Sequence, residues 1–316
     1  MLFLTESDVR QLLPMDEAVR LTRRAFEHLA AGEALNHPRR RLIVPGGSVL
    51  HYMVGSDGKY FGAKVYATHP RHGAHFSFLL YRSEDAAMLA VMEANYLGQI
   101  RTGAATGFAT DVMARQDADT LGLVGAGFQA RGQLEAVAAV RRLRSVKVWS
   151  RSAEKRQAFA RDYPNLAVEP VETAEAAVRG AGIVVTVTFA KDPVLDASWI
   201  APGTHVNAVG SNQAKRRELP TDLMTRADLI AIDSREQARM ESGDLILSLG
   251  ETAWSDPRVV ELAEIAAGRA SARPGPDAIT VFKSNGLAVE DVACAGFVYE
   301  RAIEAGLGRT IDSDHS

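Results

Sequence analysis

Apolar residues recur along this chain with three successive patterns. From Met15 to Ala31 the residues Met15, Ala18, Val19, Thr22, Phe26 and Leu29 fall on one helical face, and Gly32 suits a helix stop. Just ahead, Thr5 to Asp8 can form a capping box that opens a short helix ended by Pro14. The period then shortens to that of strands over Leu42–Val44, Val49–Val54, Phe61–Val65, Phe76–Leu80 and Met88–Val91, with Asp57-Gly58 as a hairpin turn. A helix-rich piece from Tyr96 to Arg115 leads out of this sheet, and Gly103, Ala104, Ala105 and Gly107 give it a face that permits close packing. Past the polar linker Gln116–Asp119 strands and helices alternate. Strands are expected at Leu121–Val124, Val146–Trp149, Ile183–Thr188, His205–Val209, Leu229–Ile232 and Ile279–Phe282, and helices between them include Ala153–Arg161, Thr173–Arg179 and Val259–Ala267. That alternation implies a parallel, doubly wound sheet. A last apolar helix, Leu287 to about Ala305, is expected to return to the first domain. The pattern therefore predicts an α+β domain of residues 1–116 plus 288–316, with an α/β domain, 117–287, inserted in it.

Composition narrows the class. A chain of 316 residues, 47% hydrophobic and 24% charged, is ordinary for a globular protein of two domains. The formal net charge of −3 gives no reason to expect nucleic acid or an anionic membrane as partner. Cys294 is the only cysteine, so an intramolecular disulfide is excluded and a reducing cytoplasm is the simplest setting. No apolar run approaches the ~18–20 residues that span a bilayer, and the N-terminus turns polar too early for a signal peptide.

The most informative stretch is TLGLVGAGFQARGQLEAVAAV, Thr120 to Val140, which reads as strand, glycine turn, helix. Gly125 permits the tight turn, Gly127 lets a pyrophosphate approach the backbone, and Ala130 lets helix and strand pack closely. Free N–H groups at the helix start then face the phosphates. The second strand of this domain ends in Ser150, Arg151 and Ser152, about 25 residues further on, where an acidic residue would hold the ribose hydroxyls of NAD. A cation and hydroxyls stand there instead, with Lys155 nearby, which favours the 2′-phosphate of NADP(H) and leaves NAD(H) possible.

Three cations of the first domain could meet a substrate carboxylate: Arg41, Lys64 among apolar neighbours, and Arg101. A lysine can also exchange a proton if burial lowers its pKa. His69, His72 and His75 follow no metal-ligand spacing, so no metal is expected. The runs Arg39–Arg41 and Arg141–Arg144 read as solvated faces, and Trp149 and Phe189 as core.

Taken together, FGAKVYATHP, FSFLLY, MLAVMEANYLGQIRTGAAT, GLVGAGFQA, VKVWSRS, VVTVTFAKDPVL, PGTHVNAVGS with REL after it, and FKSNGLAVED resemble the ornithine cyclodeaminase/μ-crystallin family over nearly the whole chain. The resemblance implies a Rossmann-type dinucleotide-binding domain inserted after a substrate-binding and dimerisation domain. It implies a homodimer joined through extended β-structure, with catalysis in the cleft. It places Arg41, Lys64 and Arg101 as substrate ligands and Asn285 on the substrate side. Ser77 falls on a nicotinamide-side position that the family often fills with threonine. Phe128, Gln129, Ser150, Thr186, Thr188, Val209, Gly210, Ser211, Asn212, Arg216 and Ser284 fall on cofactor-contacting positions. One departure matters. The loop that carries a general acid/base aspartate in true cyclodeaminases has Asn212 here, when aligned through REL. An amide orients by hydrogen bonding but exchanges no proton at neutral pH.

The leading expectation is thus an NAD(P)-dependent oxidoreductase of a small imino or keto acid. It would reduce a cyclic ketimine of the Δ1-pyrroline- or piperideine-2-carboxylate type, or aminate a keto acid as alanine dehydrogenases do. Arg41 and Arg101 would fix the carboxylate, Lys64 would exchange the proton, and Asn212 would orient the nitrogen. Two alternatives stand beside it: ornithine cyclodeaminase, which converts ornithine to proline and ammonia, and a non-enzymatic cofactor-bound binding protein of the μ-crystallin type.

Overall fold

The structure is a computed structural model and describes residues 1–311. It contains two compact units, one of Met1–Arg101 with the chain from Gly286 on, the other of Thr102–Asn285. The first division falls inside helix α3 (Asn95–Met113) rather than in the polar linker Gln116–Asp119.

The first unit begins with strand β1 (Leu2–Leu4) and helices α1 (Glu6–Leu12) and α2 (Met15–Ala31). Thr5 and Asp8 form the expected capping box of α1. Helix α2 buries Ala18, Val19, Leu21, Thr22, Ala25 and Phe26 and stops at Gly32, whose φ of +74° is one that glycine adopts without strain. Strands β2 (Leu35–Ile43), β3 (Val49–Ser56), β4 (Tyr60–His69), β5 (Gly73–Arg82) and β6 (Met88–Glu93) follow, and helix α11 (Ala288–Ala305) and strand β15 (Arg309–Thr310) return to this unit. The sheet order is β15-β1-β6-β5-β4-β3-β2. Strand β2 starts at Leu35, well before the expected Leu42. Its register shifts between His37 and Arg40, and such a bulge at a sheet edge accommodates Pro38. Strand pairing puts Met53, Lys64, Phe78 and Met92 opposite one another, hence on one face, and all four are buried. On the other face Leu42 pairs Leu50, and both are exposed, as is Tyr52.

The second unit holds strands β7 (Thr120–Val124), β8 (Ser145–Trp149), β9 (Val168–Pro170), β10 (Ile183–Thr186), β11 (His205–Ala208), β12 (Leu229–Ile232), β13 (Val259–Glu261) and β14 (Thr280–Lys283). Its helices are α4 (Phe128–Val140), α5 (Ala153–Arg161), α6 (Ala174–Val178), α7 (Thr221–Arg226), α8 (Arg235–Glu241), α9 (Gly243–Ile246) and α10 (Leu262–Ala266). The sheet is parallel throughout, in the order β13-β12-β14-β11-β10-β7-β8-β9, a Rossmann-type doubly wound fold. One face packs Leu121, Leu123, Val146, Val148, Ile183 and Val185 with Leu134 and Val137 of α4. The other packs Val184, Val206, Ile230 and Val281 with Leu223, Met224 and Leu245. The helix expected over Val259–Ala267 is instead edge strand β13 followed by α10, which Glu261 and Glu264 cap reciprocally.

Two surface expectations fail. Arg141 is 7% exposed, and its guanidinium donates to the carbonyls of Thr110, Asp111, Ala114 and Arg115. Carbonyls at a helix end lack intrahelical partners, and Arg141 supplies them. Phe189, expected in the core, is 71% exposed in the loop after β10.

Candidate active site

Lysine 64 sits mid-strand on β4, 2% exposed, where the alternation of the strand turns it inward. Its Nζ lies 2.9 Å and 2.8 Å from the two carboxylate oxygens of Asp291 on α11. Arg101 on α3 donates from Nε to the same carboxylate at 3.1 Å and from Nη1 to Glu290 at 2.9 Å. A Cβ at Gly286 would collide with the Arg101 guanidinium, and its φ of +81° also suits glycine, so the turn into α11 admits Arg101 only without a side chain. Burial pushes the Lys64 ammonium down to about 8, helped by Arg101, although Asp291 pulls the other way. Burial opposes charge on Arg101 too, but Asp291 and Glu290 raise its pKa.

Arg41 joins the same face. It pairs His51 on β3, and His51 pairs Tyr66, two residues from Lys64 on β4. His51 stacks on Tyr66 at 4.3 Å, and burial with Arg41 and Arg39 beside it lowers its pKa to about 4, so it stays neutral near pH 7. Arg39 is 3% exposed, which corrects the solvated-face expectation for its run. The bulge in β2 lies between His37 and Arg40, so simple strand alternation does not forecast where Arg39 points. Arg39, Arg41, Lys64 and Arg101 against Glu290 and Asp291 leave this cluster with excess positive charge, fit for a carboxylate ligand. Ser77 stands apart. It pairs Val65, so it lies exposed on the opposite sheet face from Lys64.

In the second unit the expected cofactor residues converge at the carboxyl ends of the parallel strands, where such sheets bind ligands. Gly125, with φ +124°, turns the chain after β7, and a Cβ there would meet Val187. Gly127 caps α4 with no side-chain bond, and nothing lies within 4 Å of a Cβ built there. That open cradle before a 13-residue helix, with Ala130 fully buried behind it, fits a pyrophosphate. Phe128 is 51% exposed and Gln129 partly buried at the same turn. After β8, Ser150 donates to the Ser152 carbonyl at 2.9 Å, Ser152 caps α5, and Arg151 is exposed. Arg156, which the sequence did not single out, buries its guanidinium and donates to the Ser150 carbonyl at 3.1 Å, steadying this turn.

Thr186 ends β10, and Val209, Gly210, Ser211 and the partly exposed Asn212 follow β11. One buried side chain ties these loops together. Glu218 accepts from the Thr188 amide at 2.6 Å and hydroxyl at 2.7 Å with one oxygen, and from the Gly210 amide at 2.7 Å with the other. A Cβ on Gly210 would strike the Thr188 backbone. Lys283 donates to the Ser211 carbonyl at 2.5 Å and pairs with Asp244 at 3.2 Å, and Asp244 in turn accepts the amides of Glu218 and Leu219. Ser211 also donates to the Arg216 carbonyl, while Arg216 lies over the Phe189 ring at 4.2 Å. Asp233 on the β12 end accepts from the Ser284 hydroxyl at 3.3 Å and the Asn285 amide at 2.5 Å. Glu218, Asp233, Asp244, Lys283, Glu290 and Asp291 were all missed as contributors. Their partners are distant in sequence, and only the acid-rich end of FKSNGLAVED hinted at the last two.

Among the described residues no group of three or more His, Cys, Asp or Glu side chains could hold a metal, and no helix is long and apolar enough to cross a membrane.

Comparison with known proteins converges on one group. A Δ1-pyrroline-2-carboxylate reductase of Bacillus cereus is 32% identical, with 99% of this chain and 100% of that protein covered. The structure of Thermococcus litoralis Δ1-pyrroline-2-carboxylate reductase in complex with NADH and L-proline superposes with a TM-score of 0.93 at 34% identity, covering 98% of this chain and all of that one. An archaeal alanine dehydrogenase dimer with bound NAD superposes equally well, TM-score 0.93 at 31% identity, with 99% of each chain covered. The family model matches residues 1–306, and the chain belongs to the ornithine cyclodeaminase/mu-crystallin family.

Proposed function

We propose that this protein is an NAD(P)-dependent oxidoreductase that reduces the C=N bond of a small α-imino acid. The observation that carries this reading is the buried Lys64 held by Asp291 beside Arg101, combined with the lack of any free carboxylate on the Asn212 loop. Both oxygens of Glu218, the first acid after Asn212, are bonded to Thr188 and Gly210, which removes it as a substitute for the cyclodeaminase aspartate.

Arg41 and Arg101 grip the substrate carboxylate, and Asn285 stands on the substrate side. Guanidinium geometry matches a carboxylate with two parallel bonds, which fixes the imine carbon. Lys64 donates a proton to the imine nitrogen and Asn212 orients that nitrogen. When bound, the dinucleotide supplies the hydride for the imine carbon. The proton from Lys64 and that hydride together complete a two-electron reduction of C=N to an amine. Reprotonation from water resets Lys64, while Asp291 keeps it in place.

Gly125, Gly127, Phe128, Gln129 and Ala130 hold the pyrophosphate. Ser150, Arg151 and Ser152 meet the adenosine ribose, and Thr186, Thr188, Val209 to Asn212, Arg216 and Ser284 hold the nicotinamide half. With no acid at the β8 end, NADP(H) is preferred and NAD(H) accepted. The exposed apolar face of Leu42, Leu50 and Tyr52 supports a homodimer joined through the first unit's sheet. In such a dimer Ser77, which shares that outer face, is covered by the partner copy. The test is oxidation of NADPH and NADH with a panel of cyclic imines and of keto acids plus ammonia. No turnover across the panel by protein that binds cofactor contradicts the proposal, and a lower Michaelis constant for NADH than NADPH contradicts the cofactor preference.

A further inference from the structure

Helix α3 carries a glycine that its own fold does not demand. Gly98 lies one turn before Arg101, is buried and is helical, so no positive φ calls for glycine. A Cβ built there has a single neighbour within 4 Å outside the adjoining residues and the helix backbone, Lys64 Nζ at 4.0 Å. Other glycines of this unit are required by sterics: a Cβ at Gly62 would meet the Leu79 carbonyl and the Phe78 ring, and one at Gly296 the Tyr60 ring. Glycine inside a helix is unfavourable relative to alanine, so position 98 gives up helix stability with no steric return.

The space beside Gly98 adjoins the reactive nitrogen. An ammonium has three donors, and the bonds of Lys64 among the described residues are the two to Asp291. The third N–H is the one left for a ligand. With the substrate carboxylate on the arginines, that proton meets the imine nitrogen, and whatever the nitrogen carries lies next to Nζ. An imine formed from a keto acid and ammonia carries only hydrogen there. A ring imine carries a methylene carbon.

We infer that Gly98 is a specificity-determining position, leaving room beside Lys64 for a carbon substituent on the imine nitrogen and so selecting cyclic imino acids over N–H imines. This rests on the reductase reading above and names its substrate class.

The experiment compares wild type with Gly98→Ala and Gly98→Val as full chains with NADPH. It measures kcat/KM for Δ1-pyrroline-2-carboxylate and for pyruvate with ammonium, together with melting temperature. The expected result is that wild type favours the ring imine and that Gly98→Ala loses roughly tenfold to a hundredfold with it, the range for one misfitting methyl group. Gly98→Val loses more, and both lose less with pyruvate and ammonium. The melting temperature of Gly98→Ala is expected at or above that of wild type, because open space and better helix propensity both favour alanine. An unchanged preference between the two substrates in both variants overturns the inference. So does a lower melting temperature for Gly98→Ala, which means that the space is filled. A wild type that turns over only pyruvate and ammonium overturns the inference but leaves the reductase reading standing. A wild type inactive on both overturns the inference, and the reductase reading falls with it only if the wider panel above is silent with NADPH and NADH as well.

Discussion

The two units each bury a lysine against a carboxylate, and the contrast between them separates chemistry from scaffolding. Lys283 is fully buried, paired with Asp244, and bonded to the Ser211 carbonyl, while Glu218 and Asp244 spend their oxygens on backbone amides. Every group there is tied to a loop, so the cluster's work is to fix loop positions. Lys64 is as deeply buried, yet its bonds run to one carboxylate, its pKa is lowered to about 8, and a gap opens beside it at Gly98. A buried charge bonded to the backbone holds a shape, whereas one held by a single side chain with room beside it can meet a substrate.

The largest effects come from breaking each cluster in turn. Lys64→Met is expected to cut turnover about 10²- to 10⁴-fold, the usual worth of a general acid. Stability should change little, since Arg101 still pairs Asp291. Lys283→Met should do the opposite first, costing about 3–5 kcal/mol in urea unfolding because Asp244 keeps an uncompensated buried charge. Equal loss of stability in the two variants would erase the distinction between the two clusters. Next in size, Glu218→Gln turns one accepting oxygen into a donor facing the Thr188 or Gly210 amide. A cost of about 1–3 kcal/mol is expected, with weakened dinucleotide binding read by fluorescence titration. Unchanged dinucleotide affinity would show that these loops hold no cofactor.

Titration offers a gentler probe. Reduction needs protonated Lys64, so its rate should fall as pH rises through about 8, while the reverse oxidation needs the neutral amine and should rise through the same range. Asp291→Asn removes the charge that favours the ammonium, so the reduction profile should shift to lower pH. A profile flat from pH 7 to 9 by steady-state assay would deny Lys64 the proton. The smallest effect is expected at the adenosine end. Ser150→Asp should raise the Michaelis constant for NADPH about tenfold and spare NADH, the scale of one charged hydrogen bond.

What the sequence disclosed follows physical range. The Gly125–Ala130 turn is legible because strand, turn and helix are contiguous, and its open cradle has the expected form. Lys64 stood out as a charge in an apolar strand, but Asp291 is 227 residues away and only the tertiary fold joins them. Arg39 and Arg141 look like their solvated neighbours in sequence, because burial of an arginine depends on which carbonyls or carboxylates another element brings. Ser77 lies on the sheet face opposite Lys64 because it pairs Val65, and that register depends on strands that only the fold brings together. The sequence reads β13 as helix because three residues carry too short a period to distinguish, and pairing to β12 makes it a strand.

The central claim, that Lys64 protonates an imine, is tested most directly by supplying Δ1-pyrroline-2-carboxylate and NADPH and following both cofactor oxidation and product. The expected result is one proline formed per NADPH oxidised by the wild type, and loss of that turnover in a folded, cofactor-binding Lys64→Met. Steady conversion of ornithine to proline without added reductant, or full activity of Lys64→Met, would contradict it.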